Sequence, residues 1–147
     1  MRCHIESMSE EKPWPDSIRA GGVEQHEPLV RRVLAPNPSP YTFTGTQTWI
    51  VGAGEDVAII DPGPTGSGAS IGDPADINGE GHVEAILQAT QGQRIAAIVC
   101  THTHRDHSPA AIPLKAATGA PIIGCAPLVI ADDGPRADSA FDPDYAP

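Results

Sequence analysis

Three histidines and one aspartate lie within six consecutive positions, in residues 101–107, which read Thr-His-Thr-His-Arg-Asp-His. Imidazole and carboxylate groups are the ligands that Zn²⁺ takes in hydrolytic sites, and iron and manganese accept the same donors. Two such ions about 3.5–4 Å apart can share a hydroxide and polarise a carbonyl or phosphoryl oxygen. The segment therefore predicts a metal site with hydrolytic chemistry.

The candidate ligands His102, His104, Asp106 and His107 directly follow the apolar run 95–100. This run predicts a buried strand, because it is short, continuous and rich in β-branched residues. His102 and His104 are two positions apart at the strand end, so both rings can face one ion. Asp106 and His107 follow in the turn and can reach a second ion. A lone histidine in a loop is usually a surface residue, but four potential ligands in six positions favour a site.

The other segments predict the α/β class, with a layered sheet and helices against one face. Strands are predicted at 29–34, 46–51, 57–60, 95–100 and 121–124, and helices at 82–91 and 110–118. Residues 1–28 are predicted to be a flexible leader, residues 62–81 a long loop, and residues 132–147 a loop-like tail.

Charge and cysteine usage exclude several classes of protein. The net charge of −10 repels phosphate backbones, so strong nucleic-acid binding is not expected from charge alone. No run of apolar residues is long enough to span a membrane, and residues 1–15 lack an apolar signal segment. Cys3, Cys100 and Cys125 are odd in number and widely spaced, which suggests reduced thiols and predicts a cytoplasmic protein.

Residues 102–107 match the HxHxDH signature of the metallo-β-lactamase-fold superfamily and resemble its glyoxalase II form. A second resemblance lies in residues 37–52, which are similar to the branch containing β-lactamase-like protein 2, whose members include an endoribonuclease. Asp61-Pro62-Gly63 resembles the Asp-x-Gly that ends a strand in this family. The resemblance extends over residues 30–131, and residues 29–131 are predicted to be the N-terminal half of such a domain.

The resemblance implies an αββα sandwich of two sheets flanked by helices. It also implies that His102 and His104 bind one metal ion, while Asp106 and His107 bind another. Two Zn²⁺ ions are expected in the complete site, with Fe or Mn as alternatives. Asp106 would also be catalytic by orienting the attacking water, and Asp61 would steady the ligand loop. From its position alone, Asp61 is equally well explained as a carboxylate that caps a turn.

The resemblance is incomplete at its C-terminal side. The family takes a further histidine, a bridging aspartate and a final histidine from later positions, but no histidine follows His107 here. The C-terminal half of the domain is therefore expected to be missing. An isolated half would expose the apolar sheet face that its partner covers.

The leading interpretation is a metal-dependent hydrolase that attacks a small ester or thioester with metal-bound hydroxide. One alternative is a metal-dependent endoribonuclease of the β-lactamase-like protein 2 type, which the upstream resemblance favours and the charge disfavours. Another is a catalytically incompetent fragment, since the 147 residues alone lack the later ligands. The remaining histidines, His4, His26 and His82, are predicted to be surface residues.

Overall fold

The structure is a computed structural model that describes residues 21–65, 80–124 and 144. Within these residues, six strands form one sheet and two helices connect the later strands. The elements are β1 (Val23–Glu27), β2 (Val30–Leu34), β3 (Gln47–Val51), β4 (Asp56–Ile60), α1 (Glu80–Ala89), β5 (Arg94–Cys100), α2 (Ala111–Thr118) and β6 (Ile122–Gly124).

The sheet is mixed, and its strands follow one another in chain order. Strands β1 to β4 form an antiparallel meander, whereas β5 pairs parallel with β4 and β6 pairs parallel with β5. The parallel pairs are connected through α1 and α2, as a crossover between parallel strands requires. The C-terminal ends of β4 and β5 therefore meet at one edge of the sheet. Asp61 follows β4 there, and residues 101–107, called the His/Asp segment below, follow β5.

One face of the sheet packs against both helices. Strand pairing places Ile50 beside Ile59 and Ile59 beside Ile98, so these side chains share a face. All three are fully buried, together with Ile86 of α1 and Leu114 of α2. Each such side chain contributes about 1.5–3 kcal/mol by leaving water, so this layer anchors the strands that carry the site.

The opposite face carries an apolar row across four strands. Trp49 pairs with Ile60, Ile60 with Val99, and Val99 with Ile123. The first three are half-buried, and Ile123 is 37% exposed. This row is the surface that the family resemblance places inside a two-sheet sandwich.

The predicted α/β class and its strands and helices are confirmed, with each end within two residues of the predicted one. Pro113 does not break α2, because it lies in the first turn, where its missing N–H has no helical partner. The prediction of a leader up to residue 28 is wrong for β1. This strand pairs through its backbone at the sheet edge, and its mostly exposed polar side chains give no apolar period.

Residues 1–20, residues 66–79 of the predicted loop, and the predicted tail apart from residue 144 lie outside the described residues. Neither helix in the described part of the chain is long and apolar enough to cross a membrane.

Candidate metal centre

The turn after β4 forms one wall of the site. Asp61 has a φ of 48°, in the left-handed region, which aspartate tolerates better than most residues. Its N–H donates to the carbonyl of Val99 at 2.8 Å, so the turn stays attached to β5. The Asp61 carboxylate therefore lies beside the beginning of the His/Asp segment.

The Asp61 carboxylate accepts three polar contacts from that segment. The N–H and the hydroxyl of Thr101 both donate to it at 2.7 Å. Nδ1 of His107 lies 3.2 Å from its Oδ2. Burial alone would raise the pKa of Asp61, but the hydrogen bonds from His107 and Thr101 outweigh burial and hold that pKa below its usual value.

The predicted site residues are brought together. One ligand atom each from Asp61, His102 and His107 lies within 4.8 Å of the others. The His102 ring centroid is 4.2 Å from that of His107 and 4.6 Å from that of His104. The carboxylate of Asp106 lies 3.3 Å from Nε2 of His107. Their roles as metal ligands stay predictions.

The pKa values of two histidines of the cluster are shifted in opposite directions. Hydrogen bonding to Asp61 raises the pKa of His107, with Asp106 adding to the effect through its charge. Partial burial lowers the pKa of His102, and the neighbouring rings of His107 and His104 lower it further. Since a metal binds neutral imidazole, His102 is already in its ligand form at neutral pH.

The donor set fits a divalent ion of the zinc type. Imidazole nitrogens and carboxylate oxygens converge from one loop and one adjoining turn. A metal-binding histidine commonly donates its second N–H to a carboxylate, and Asp61 is placed to accept that bond from His107. The supporting role of Asp61 stays a prediction.

Two threonines near the cluster were not singled out from the sequence. Thr101 supplies two of the hydrogen bonds that hold Asp61. The hydroxyl of Thr46 lies 3.5 Å from the Asp106 carboxylate. The signal for Thr101 was its place between the buried strand and the first histidine, but Thr46 is 60 positions away from its partner and gave none.

The prediction that His82 is a surface residue is wrong, because only 1% of it is exposed. Its spacing from Ile86 and Thr90, both also buried, puts all three on one face of α1 and its C-terminal extension. The helical period that predicted α1 also pointed to a buried His82, but a polar residue at the helix start is more often solvated.

The family model for the Metallo-beta-lactamase superfamily matches residues 41–146, so this chain belongs to that superfamily. A solved structure, a β-lactamase domain protein from Burkholderia ambifaria, shares the fold with a TM-score of 0.52 at 20% identity. That match covers 74% of this chain and 31% of the other. The predicted family and fold are thus confirmed, and the mixed sheet with its two helices forms part of such a domain.

Two curated proteins are similar to part of this chain. This chain is 35% identical over 89 residues to an atrochrysone carboxyl ACP thioesterase of Passalora fulva, covering 58% of this chain and 22% of that protein. It is 31% identical over 93 residues to a β-lactamase-like protein 2 homolog of Caenorhabditis elegans, covering 63% and 28%. The chain thus matches about a quarter of the length of these relatives.

Proposed function

We propose that the protein is a metal-dependent hydrolase that acts on a small ester or thioester and holds two zinc ions in its complete site. The observation that carries the proposal is the clustering of the candidate ligands: the ring centroid of His102 lies 4.6 Å from that of His104 and 4.2 Å from that of His107, and the Asp106 carboxylate lies 3.3 Å from Nε2 of His107. Membership of the superfamily supports hydrolysis. The thioesterase name of one relative supports the choice of a thioester.

In this proposal His102 and His104 hold one ion, and Asp106 and His107 hold the other. Asp61 accepts the Nδ1–H of His107, which leaves Nε2, the nitrogen nearer to Asp106, for the ion. Iron or manganese would accept the same donors. When bound, such ions lower the pKa of a water molecule and polarise the carbonyl that is attacked.

Asp106 has the further role of orienting the attacking water. Its side chain is 27% exposed, so solvent reaches the carboxylate, while one oxygen faces Nε2 of His107. The nearby hydroxyl of Thr46 limits how far the carboxylate can turn. A carboxylate restrained in this way can accept a hydrogen bond from water in one preferred direction.

Replacing His102 and His104 together by alanine in the full-length protein tests the assignment. The double variant should lose bound metal, and thioester hydrolysis should fall by more than about 100-fold, since even supporting residues around a metal cost about 10–100-fold. The measurements are metal content by mass spectrometry and hydrolysis of a thioester substrate.

The matched control is His26→Ala, which removes an exposed histidine from β1, a strand separated from β5 by three other strands of the sheet. This variant should keep its metal and its activity. Undiminished metal content and hydrolysis in the double variant would refute the proposal.

A second candidate is a metal-dependent endoribonuclease. The resemblance of residues 37–52 and the similarity to a β-lactamase-like protein 2 homolog favour it. The net charge of −10 opposes it, because phosphate backbones are repelled. Metal-loaded protein should be incubated with single-stranded RNA beside a His102→Ala control, and cleavage no faster than in the control rules this candidate out.

A third hypothesis concerns the 147 residues by themselves, for which weak metal binding and no turnover are proposed. The reason is that His107 is the last histidine of the sequence, whereas the family uses later ones. Assaying this polypeptide beside a full-length relative tests the hypothesis, and equal turnover would overturn it.

A cytoplasmic location is also part of the proposal. It is supported by the three cysteines of the sequence, which are odd in number and widely spaced, as is typical of reduced thiols.

A further inference from the structure

A buried histidine lies behind the proposed metal centre. His82 occupies the first turn of α1, and 1% of it is exposed. Its Nε2 lies 2.8 Å from the hydroxyl of Thr48, which is itself fully buried on β3. Burying an imidazole costs free energy unless it is hydrogen-bonded, and the bond to Thr48 offsets part of this cost. The contacts of this buried pair indicate what it does in the fold.

The imidazole of His82 acts as a neutral hydrogen-bond donor. Burial lowers the pKa of His82 to about 4, against the opposing effect of a hydrogen bond with the Pro62 backbone. Its Nδ1 has no hydrogen-bond partner among the described residues. The proton therefore belongs on Nε2, which faces the Thr48 hydroxyl and donates to the acceptors on this side of the ring, Thr48 Oγ1 and the Pro62 carbonyl, because the other tautomer would leave a buried donor unpaired.

The same ring packs against the turn that follows β4. Gly63 has a φ of +86°, and a Cβ placed on it would lie 2.9 Å from Nε2 of His82 and 3.3 Å from the Thr48 hydroxyl. Only glycine lets the backbone approach the ring this closely in this conformation. His82 and Thr48 thus pack against the turn of residues 61–63 at Gly63.

The other side of this turn is hydrogen-bonded to the His/Asp segment and to Ala110 beyond it. The N–H of Gly63 donates to the carbonyl of His107 at 2.9 Å, and the N–H of Ala110 donates to the carbonyl of Gly63 at 3.0 Å. Two residues earlier, Asp61 binds Thr101 and His107 through its carboxylate. A shift of the turn would therefore move both ends of the His/Asp segment, Thr101 and His107.

We propose that His82 is a positioning residue for the metal centre, because its ring, bonded to Thr48 and packed on Gly63, fixes the turn that aligns His107. This inference rests on the proposed function for the metal itself, whereas the contacts that lead from Thr48 through His82 and Gly63 to His107 are made by the protein's own residues. The role of His82 is to set where Asp61 and Gly63 meet the loop.

Four variants of the full-length protein test this role. His82→Leu keeps apolar bulk and removes the donor, His82→Gln keeps a donor near the position of Nε2, and Thr48→Val removes the partner hydroxyl. Ile86→Val is the matched control, since it trims the buried face of α1 one turn away from the site. Each is measured for Co²⁺ affinity, for the Co²⁺ absorption spectrum, and, without metal, for amide exchange at Gly63 and Thr101.

His82→Leu should weaken Co²⁺ binding by about 10-fold or more and alter the cobalt spectrum. Without metal, it should speed exchange at Gly63 and Thr101 more than exchange within β5. Thr48→Val should act in the same direction, His82→Gln should restore most of the affinity, and Ile86→Val should leave all three readouts near those of the wild type. A purely structural role would lower the thermal midpoint and leave affinity, spectrum and relative exchange unchanged.

The inference is overturned if His82→Leu matches Ile86→Val in all three readouts. If His82→Leu does not fold, Thr48→Val decides, and wild-type behaviour of that variant overturns it. Failure of the wild type to bind any metal would instead refute the proposed function. The exchange rates at Gly63 and Thr101 would then decide on the positioning role by themselves.

Discussion

His107 is the residue on which the proposed centre depends most, because both of its ring nitrogens have carboxylate neighbours. Nδ1 lies 3.2 Å from Asp61 and Nε2 lies 3.3 Å from Asp106. In the absence of metal, the two carboxylates favour the protonated ring. They raise the pKa of His107, Asp61 most strongly through its hydrogen bond and Asp106 through its charge. A metal ion would replace the proton at Nε2 and leave the bond to Asp61 intact.

The metal-free protein should therefore owe part of its stability to the pair of His107 and Asp61 in a defined pH window. The raised pKa of His107 gives stabilisation that is complete below its ordinary value of 6.5 and is lost as the pH rises through the folded value. The lowered pKa of Asp61 gives stabilisation that is present above 3.8 and is lost as the pH falls through the folded value. The pair thus contributes most between these two limits.

Asp61→Asn should cost about 1.5–3 kcal/mol of unfolding free energy near pH 5.5, as expected for a hydrogen bond to a charged group, and less near pH 8.5. Urea unfolding with chelator present, at a series of pH values, measures this difference. Asp56→Asn, which removes an exposed carboxylate at the opposite end of β4, is the control and should keep the wild-type pH dependence. A cost that is equal at both pH values would contradict the pairing.

At the level of elements, the loop between β2 and β3 is tied together by its own side chains. The side-chain oxygen of Asn37 accepts the N–H of Thr46 at 2.8 Å, and its amide donates to the Thr46 hydroxyl at 3.0 Å. We call this pair of hydrogen bonds between Asn37 and Thr46 the clasp. Glycine is required at the neighbouring position 45, since a Cβ on Gly45 would lie 2.1 Å from the carbonyl oxygen of Ala35. The clasp fixes Thr46, and through it the side of the site occupied by Asp106.

Asn37→Ala should destabilise the protein by about 1–3 kcal/mol, because it leaves the N–H of Thr46, a residue only 7% exposed, without its partner. The unfolding free energy in urea measures the loss. Tyr41→Ala, in the same loop but at a residue 90% exposed, should change it by less than about 0.5 kcal/mol. Equal unfolding free energies for the two variants would show that the clasp carries no stability.

The elements that the sequence predicted well are those with a strong local period. Strand β5 and helix α1 have continuous or helical apolar patterns, so their existence and type follow from a window of ten residues. The proposed metal cluster was equally local, with four candidate ligands in six positions. The pairs of Thr46 with Asp106 and of Thr48 with His82 join residues 60 and 34 positions apart, and only the folded sheet brings them together.

At the scale of the whole molecule, the two faces of the sheet differ in what they bury. The face toward the helices is closed by fully buried residues such as Ile59 and Leu114. The other carries the half-exposed row that ends at Ile123, and the sequence predicted it only through the family resemblance, because no local pattern distinguishes an inner sheet face from an outer one. The proposed metal centre lies at the C-terminal ends of β4 and β5, so its candidate ligands follow strands that are anchored in the closed layer.

Because contacts with Asp61 in the folded turn position the proposed ligands of residues 102–107, bound metal should stabilise the folded protein. A ligand that binds only the folded state adds about 2.7 kcal/mol at 100 times its dissociation constant. For a chain of this size, that corresponds to a rise of about 5–10 °C in the thermal midpoint. Zinc added to chelator-treated protein should give this rise in calorimetry, and the double alanine variant of His102 and His104 should show little or none. An equal rise in that variant would mean that zinc stabilises the fold from some other place, and the ligand assignment would fail.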